Sequence, residues 1–215
     1  MIKKELTKRI LSSIILMPIV LFFIVKGTFL FNIFVLICLL ITTYEWMKMS
    51  KTNFFKIFGT IFIIISFYTI FKIRNEFDRD YFHLLLVIII CISTDVGGYL
   101  FGNVFKGPKL TKISPKKTYS GVIGSFLLSI IFTNLFLDIY LDVKTFKFST
   151  EMFIFILSVS FISQSGDIFV SYFKRKSKIQ DTGSIIPGHG GILDRIDGMI
   201  FAFPFSYLVF LNWNF

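Results

Sequence analysis

The chain has 215 residues, of which 54% are hydrophobic and only 17% charged, against about a quarter charged in soluble domains. That balance excludes an ordinary water-soluble globular protein, and the formal charge of +10 needs a partner or a polarity to explain it. Cys38 and Cys91 both sit in apolar runs without CxxC or Cys/His company, which excludes a disulfide framework or a zinc site. Thirty phenylalanines beside a single alanine, Ala202, fit AT-rich codon usage, so the aromatic content by itself indicates no function.

The opening "MIKKELTKRILSSIILMPIVLFF" has the basic head and apolar stretch of a signal peptide. It lacks a small-x-small cleavage site and more membrane-type sequence comes directly after it, so it reads as a retained first helix. Apolar runs then recur at Ile10–Val25, Thr28–Tyr44, Phe54–Phe71, Tyr81–Phe101, Gly121–Leu137, Met152–Phe173 and Asp194–Leu211. They predict an all-α, polytopic integral membrane bundle of about seven transmembrane helices. Several runs fall short of the ~20 residues of an upright span, so tilt or local thinning is expected. No repeat or linker divides the chain, which predicts one domain over 1–215. With the N-terminus inside, 17 of the 23 Lys and Arg fall on the cytoplasmic side and 6 on the other. This asymmetry predicts an N-in/C-out protein of the cell's inner membrane. It also puts two polar loops, 94–121 and 164–198, on the same cytoplasmic face.

The first loop starts inside the fourth span. Thr94, Gly98 and Gly102 lie four residues apart, a small-residue stripe that admits a close helix neighbour. Asp95 is a charge at membrane depth, where acids face a cavity or a partner. Further on, "ISPKKTYSG" presents Lys116, Lys117 and Thr118 behind Pro115, a cluster suited to phosphate oxygens. Orientation and attraction to anionic lipid account for the other lysines of this loop. "GNVFKGPKLT" lacks the Gly-Lys-Ser/Thr of a P-loop and is not one.

The second loop begins on the sixth helix. Gln164, Asp167, Ser171, Lys174 and Lys178 recur at spacings of 3, 4, 3 and 4, one face of a helix that must point into the bundle or a wet cavity. Snorkelling explains the terminal cations but not Asp167 behind them. In "DTGSIIPGHGGILDRIDG", Gly188, Gly190 and Gly191 allow the close approach a phosphate-cradling turn needs. Asp194 and Asp197, three apart at the start of the last helix, suit helix capping singly. Together, with Asp167 nearby, they suit Mg²⁺, which takes one or two carboxylates and leaves room for substrate phosphates.

Ser171-Tyr-Phe-Lys174-Arg175, continuing to Asp181-Thr-Gly and "PGHGGILDRIDG", closely resembles the signature of the phosphatidate cytidylyltransferase (CDP-diacylglycerol synthase) family. "QSGD" at Gln164–Asp167 and "SPKKTYSG" resemble its neighbouring segments. Gln180 stands where members usually carry Lys, and Ser120 where they usually carry Glu. The chain also looks short for a bacterial member, by one or two N-terminal spans. The resemblance implies that phosphatidate and CTP are converted to CDP-diacylglycerol and pyrophosphate with Mg²⁺, and with K⁺ beside it. It implies metal-holding roles for Asp167 and Asp194, then Asp197, with Asp181 behind. Lys174, Arg175, Lys116 and Lys117 would neutralise phosphates, Ser171 would donate to a phosphate oxygen, and Arg195 and Asp95 join the substrate-facing set. His189 could bind phosphate or cytosine, or simply shape the turn. The bilayer and a second copy of the chain in a homodimer are expected partners, and nucleic acid is not. Two alternatives predict other behaviour: a CTP-dependent polyprenol or phytol kinase would release CDP, and a transporter would need no CTP.

Overall fold

The structure, a computed structural model, describes residues 2–77, 81–111, 114, 117–141, 149–186, 188 and 190–212, with side chains from Ile14 onward except those of Thr28 and Leu141. The long elements are α1 (Ile2–Lys26), α2 (Thr28–Met49), α3 (Asn53–Lys72), α4 (Phe82–Phe105), α5 (Tyr119–Leu141) and α6 (Thr150–Lys176). A short α7 (Leu193–Ile196) and then α8 (Met199–Asn212) complete the order, and a π-helical turn, Ile73–Phe77, extends α3. Among the described residues the only β pairing is two isolated bridges, Lys109 with Thr118 and Ile186 with Gly190. Helices dominate because lipid offers no partner for a free N–H or C=O, and a helix satisfies its own.

Five stretches are long and apolar enough to cross a bilayer: Phe29–Met49, Asn53–Phe77, Phe82–Phe105, Tyr119–Tyr140 and Thr150–Lys176. Ile14–Lys26 and Met199–Asn212 are shorter apolar helices. Large side chains such as Phe29, Phe54, Val104, Ile139 and Phe161 are exposed along these helices, as a lipid-facing surface requires. The seventh expected segment differs from one uninterrupted helix over Asp194–Leu211. It is broken between Ile196 and Met199, just after Asp197, which still keeps helical dihedrals (φ −57°, ψ −36°) as the C-cap of α7. Gly198 sits at this break, where a Cβ would overlap Ser163 of α6.

The chain forms two compact units, residues 1–82 with 173–197 and residues 83–172 with 198–215. In the first, Gly27 turns the chain from α1 to α2 with φ +61°, a left-handed conformation glycine adopts without penalty. Arg74 packs on that turn and donates from Nε to Ile24 O at 3.1 Å, placing a cation at the C-terminal end of α1. Trp46 of α2 donates its indole N–H to Phe55 O at 3.0 Å, and Gly59 of α3 leaves room for the ring. Phe173 meets both Trp46 and Phe55 at a centroid distance of 5.1 Å, tilted against the first ring and edge-on to the second.

In the second unit the small-residue stripe of α4 meets small residues of α5. Gly97 lies against the Gly124 carbonyl, and Gly98 faces Ser125. Ser125 Oγ donates to Thr94 O at 2.7 Å, while Thr94 Oγ1 reaches Ser160 Oγ of α6 at 2.8 Å. Hydroxyls thus join three helices where their backbones come closest, the usual cohesion of membrane bundles.

Candidate active site

Helix α6 runs unbroken through Gln164, Asp167, Ser171 and Lys174, in keeping with the polar stripe, and stops at Lys176, short of Lys178. Its end is a Schellman motif: Ile179 N donates to Lys174 O at 3.0 Å and Lys178 N to Arg175 O at 3.0 Å. Lys178 takes φ +60° at the position glycine usually fills.

In the second unit, Lys117 Nζ lies 2.6 Å from Asp167 Oδ2 and also donates to Gln164 O at 3.2 Å. Ser171 Oγ donates to Asp167 Oδ1 at 3.2 Å. The loop carrying Lys117 is held by Leu110 N to Lys117 O, 2.8 Å, and Tyr119 N to Pro108 O, 3.1 Å. Ser120 secures the same loop: its Oγ accepts from Gly107 N at 3.3 Å and lies 3.0 Å from Thr118 Oγ1. The first-loop lysine and the α6 acid therefore form one pair.

In the first unit, Lys174 Nζ sits 3.0 Å from Asp194 Oδ1 and 3.6 Å from Asp197 Oδ2. The side chains of Lys174 and Asp194 are only 10% and 3% exposed, so the pair is held away from water. Asp194 Oδ2 accepts from Thr182 N at 2.7 Å, Gly191 N at 2.9 Å and Thr182 Oγ1 at 3.0 Å. One carboxylate thereby folds the glycine loop back over itself. Gly190, at φ +86°, is pinned between Asp194 and Asp181, and no side chain fits there.

Glu45 of α2 belongs to this group, although its sequence context alone does not single it out as a site residue. It is 1% exposed, it accepts from Ile192 N at 3.1 Å and Leu193 N at 2.8 Å, and its Oε2 lies 3.2 Å from Thr182 Oγ1, whose single proton it shares with Asp194. A signal exists: Glu45 is the one acid in a mostly apolar helix, "TFLFNIFVLICLLITTYEWMKM", the same mark that distinguishes Asp95.

Arg175 is exposed and donates to Ile179 O at 3.3 Å; Asp181, Arg195 and Asp95 are also exposed. Lys116 and His189 fall outside the described residues. Among the described residues no three His, Cys, Asp or Glu side chains group to hold a metal. Lys117 pairs with Asp167, and Lys174 lies between Asp194 and Asp197, where it offsets the repulsion of these two like charges. The donor set still fits a hard cation in part: Asp194 and Asp197 already direct oxygens at one positive centre, and Mg²⁺ commonly takes two carboxylates.

The family model described as "Cytidylyltransferase family" matches residues 53–213. The chain is 37% identical over 210 residues to a phosphatidate cytidylyltransferase of Rickettsia typhi, covering 94% of this chain and 90% of that one. Against the Rickettsia felis phosphatidate cytidylyltransferase it is 35% identical over 213 residues, covering 96% and 93%. The Thermotoga maritima phosphatidate cytidylyltransferase is 36% identical over 157 residues, covering 71% of this chain and 58% of that protein.

Proposed function

The chain belongs to the cytidylyltransferase family, and on that footing we propose that it transfers CMP from CTP to phosphatidate, giving CDP-diacylglycerol and pyrophosphate. It is a nucleotidyltransferase of phospholipid synthesis with apolar helices suited to a bilayer. The observation that carries the reading is the buried Lys174 beneath the glycine loop, flanked by Asp194 and Asp197, in a chain alike over nearly its whole length to phosphatidate cytidylyltransferases.

Both substrates are anions, so the reaction needs charge neutralised and groups oriented more than it needs covalent catalysis. The lipid phosphate is already ionised near pH 7 and attacks the α-phosphorus of CTP without a base; the α–β bond breaks and pyrophosphate departs with the electron pair. Lys174 and Arg175 meet the nucleotide phosphates beside the glycine loop, and Asp194 orients the Lys174 ammonium. Lys117, with Lys116 next to it, meets a phosphate on the other loop, and Asp167 and Ser171 hold Lys117 in place until it does. Asp194 and Asp197 would hold Mg²⁺, with Asp167 and Asp181 as further candidate ligands. When bound, the ion withdraws charge from the nucleotide phosphates and eases release of pyrophosphate. K⁺ would serve as a second cation. Arg195 and Asp95 complete the proposed substrate-facing set, and His189 in the glycine loop is a phosphate or cytosine contact.

The proposed topology has seven spans, N-in and C-out in the inner membrane, with the site on the cytoplasmic side. Its support is the distribution of 17 Lys and Arg against 6. The test is to incubate the purified chain in detergent with labelled CTP, phosphatidate and Mg²⁺. CDP-diacylglycerol and pyrophosphate are expected. Release of CDP would identify a kinase, and no lipid product at all would overturn the proposal.

A further inference from the structure

We infer that Glu45 is a positioning residue for the transfer reaction: its buried carboxylate fixes the glycine loop and the first amides of α7, and through them the places of Asp194 and Lys174. The inference rests on the reading of Lys174 and Asp194 given above. A carboxylate buried in an apolar helix is unfavourable unless its oxygens find donors. Among the described residues those of Glu45 find no lysine or arginine, only the amides of Ile192 and Leu193 and the hydroxyl of Thr182. An apolar residue would join α2 to the loop at less cost, so the charge is there for the amides it aligns.

The loop is shaped around this carboxylate. A Cβ at Gly183 would lie 2.6 Å from Glu45 Oε1, and one at Gly191 would overlap both carboxylate oxygens. Thr182 links the two acids: its hydroxyl lies 3.2 Å from Glu45 Oε2 and 3.0 Å from Asp194 Oδ2, while its N–H donates to Asp194. A continuous path therefore runs from Glu45 through Thr182 and Asp194 to the Lys174 ammonium. Removing the Glu45 charge releases one end of it.

The test uses the full chain in detergent with Glu45→Gln, Gly183→Ala and the double variant. Rates are measured against CTP and phosphatidate separately, with backbone hydrogen exchange recorded alongside. For Glu45→Gln, kcat/KM for CTP should fall about 10–100-fold, the usual effect of losing a supporting partner of an active-site ligand. KM for phosphatidate should hold. Amides over 182–193 should exchange faster while α2 and α3 stay protected. Gly183→Ala presses on the same carboxylate, so the double variant should lose no more than the worse single. Wild-type kinetics in Glu45→Gln would overturn the inference. So would an equal loss toward both substrates with α2 and α3 unprotected, since that marks support of the fold alone. If Glu45→Gln does not fold, Gly183→Ala decides, and wild-type kinetics there overturn the inference. A wild-type chain that makes no CDP-diacylglycerol would sink the reaction assigned above, while the exchange of 182–193 would still test whether Glu45 holds the loop.

Discussion

Asp194→Asn is the sharpest single test of the site, because it keeps the side chain's volume and removes its charge. The wild-type carboxylate is 3% exposed and receives four contacts, three from Thr182 and Gly191 on Oδ2 and one from Lys174 on Oδ1. An asparagine must turn its NH₂ toward either the lysine or the loop amides, so a donor faces a donor in both orientations. Removing one partner of a buried ion pair costs about 3–5 kcal/mol. Asp197, 3.6 Å from Lys174, keeps part of the compensation, which argues for the lower end, about 3 kcal/mol. For a chain of this size each kcal/mol lowers the unfolding midpoint by roughly 2–4 °C, so a fall of about 6–12 °C is expected. Turnover should fall by about 10²–10³ if the same carboxylate stabilises charge in the reaction. Thermal unfolding in detergent and the labelled-CTP assay, run below the variant's midpoint, separate the two effects. Wild-type turnover from the folded variant would refute the catalytic role and leave Asp194 a staple of the loop. An unchanged midpoint would refute the energetic argument.

Lys174→Met leaves Asp194 and Asp197 without their shared cation, so millimolar Mg²⁺ should raise the unfolding midpoint of this variant more than that of the wild type. Asp167→Asn breaks a pair whose side chains are 23% and 27% exposed; the stability cost should stay near 1 kcal/mol, while turnover should fall about 10–100-fold as Lys117 loses the partner that positions it. Gly97→Ala forces a methyl group into the Gly124 carbonyl and should cost about 1–3 kcal/mol, with turnover per folded molecule unchanged, as a packing stripe requires. Lys178→Gly relieves the left-handed residue of the α6 cap and should gain up to about 1 kcal/mol in detergent unfolding.

Much of the helical architecture is legible in the sequence because lipid leaves few alternatives: an apolar run of sufficient length has to be a helix. The ends are less legible. α6 outlasts its apolar run by three residues, to Lys176, because cations at a helix C-terminus are favourable and can reach polar surroundings. The last span reads as one helix because Asp194 and Asp197 share the 3.6-residue period of the apolar run behind them. At its break Gly198 packs against Ser163, more than thirty residues away, and no local pattern encodes that contact.

In the candidate site, the residue types are legible and their partners are not. The lysines expected to meet phosphates and the acids expected to meet a metal are present, but they meet each other, Lys117 with Asp167 and Lys174 with Asp194. Spacing along a helix identifies which groups share a face, whereas pairing depends on which opposite charge the fold brings within reach. Glu45 makes the point most clearly. It lies 137 residues from Thr182 and 148 from Leu193, and a lone acid in an apolar helix announces only that something must satisfy it. That its partners are the amides of the glycine loop is visible in the folded structure alone. It changes what the glycines signify: the gap at Gly191, which read as room for a substrate phosphate, is filled by the protein's own carboxylate, as is the one at Gly183.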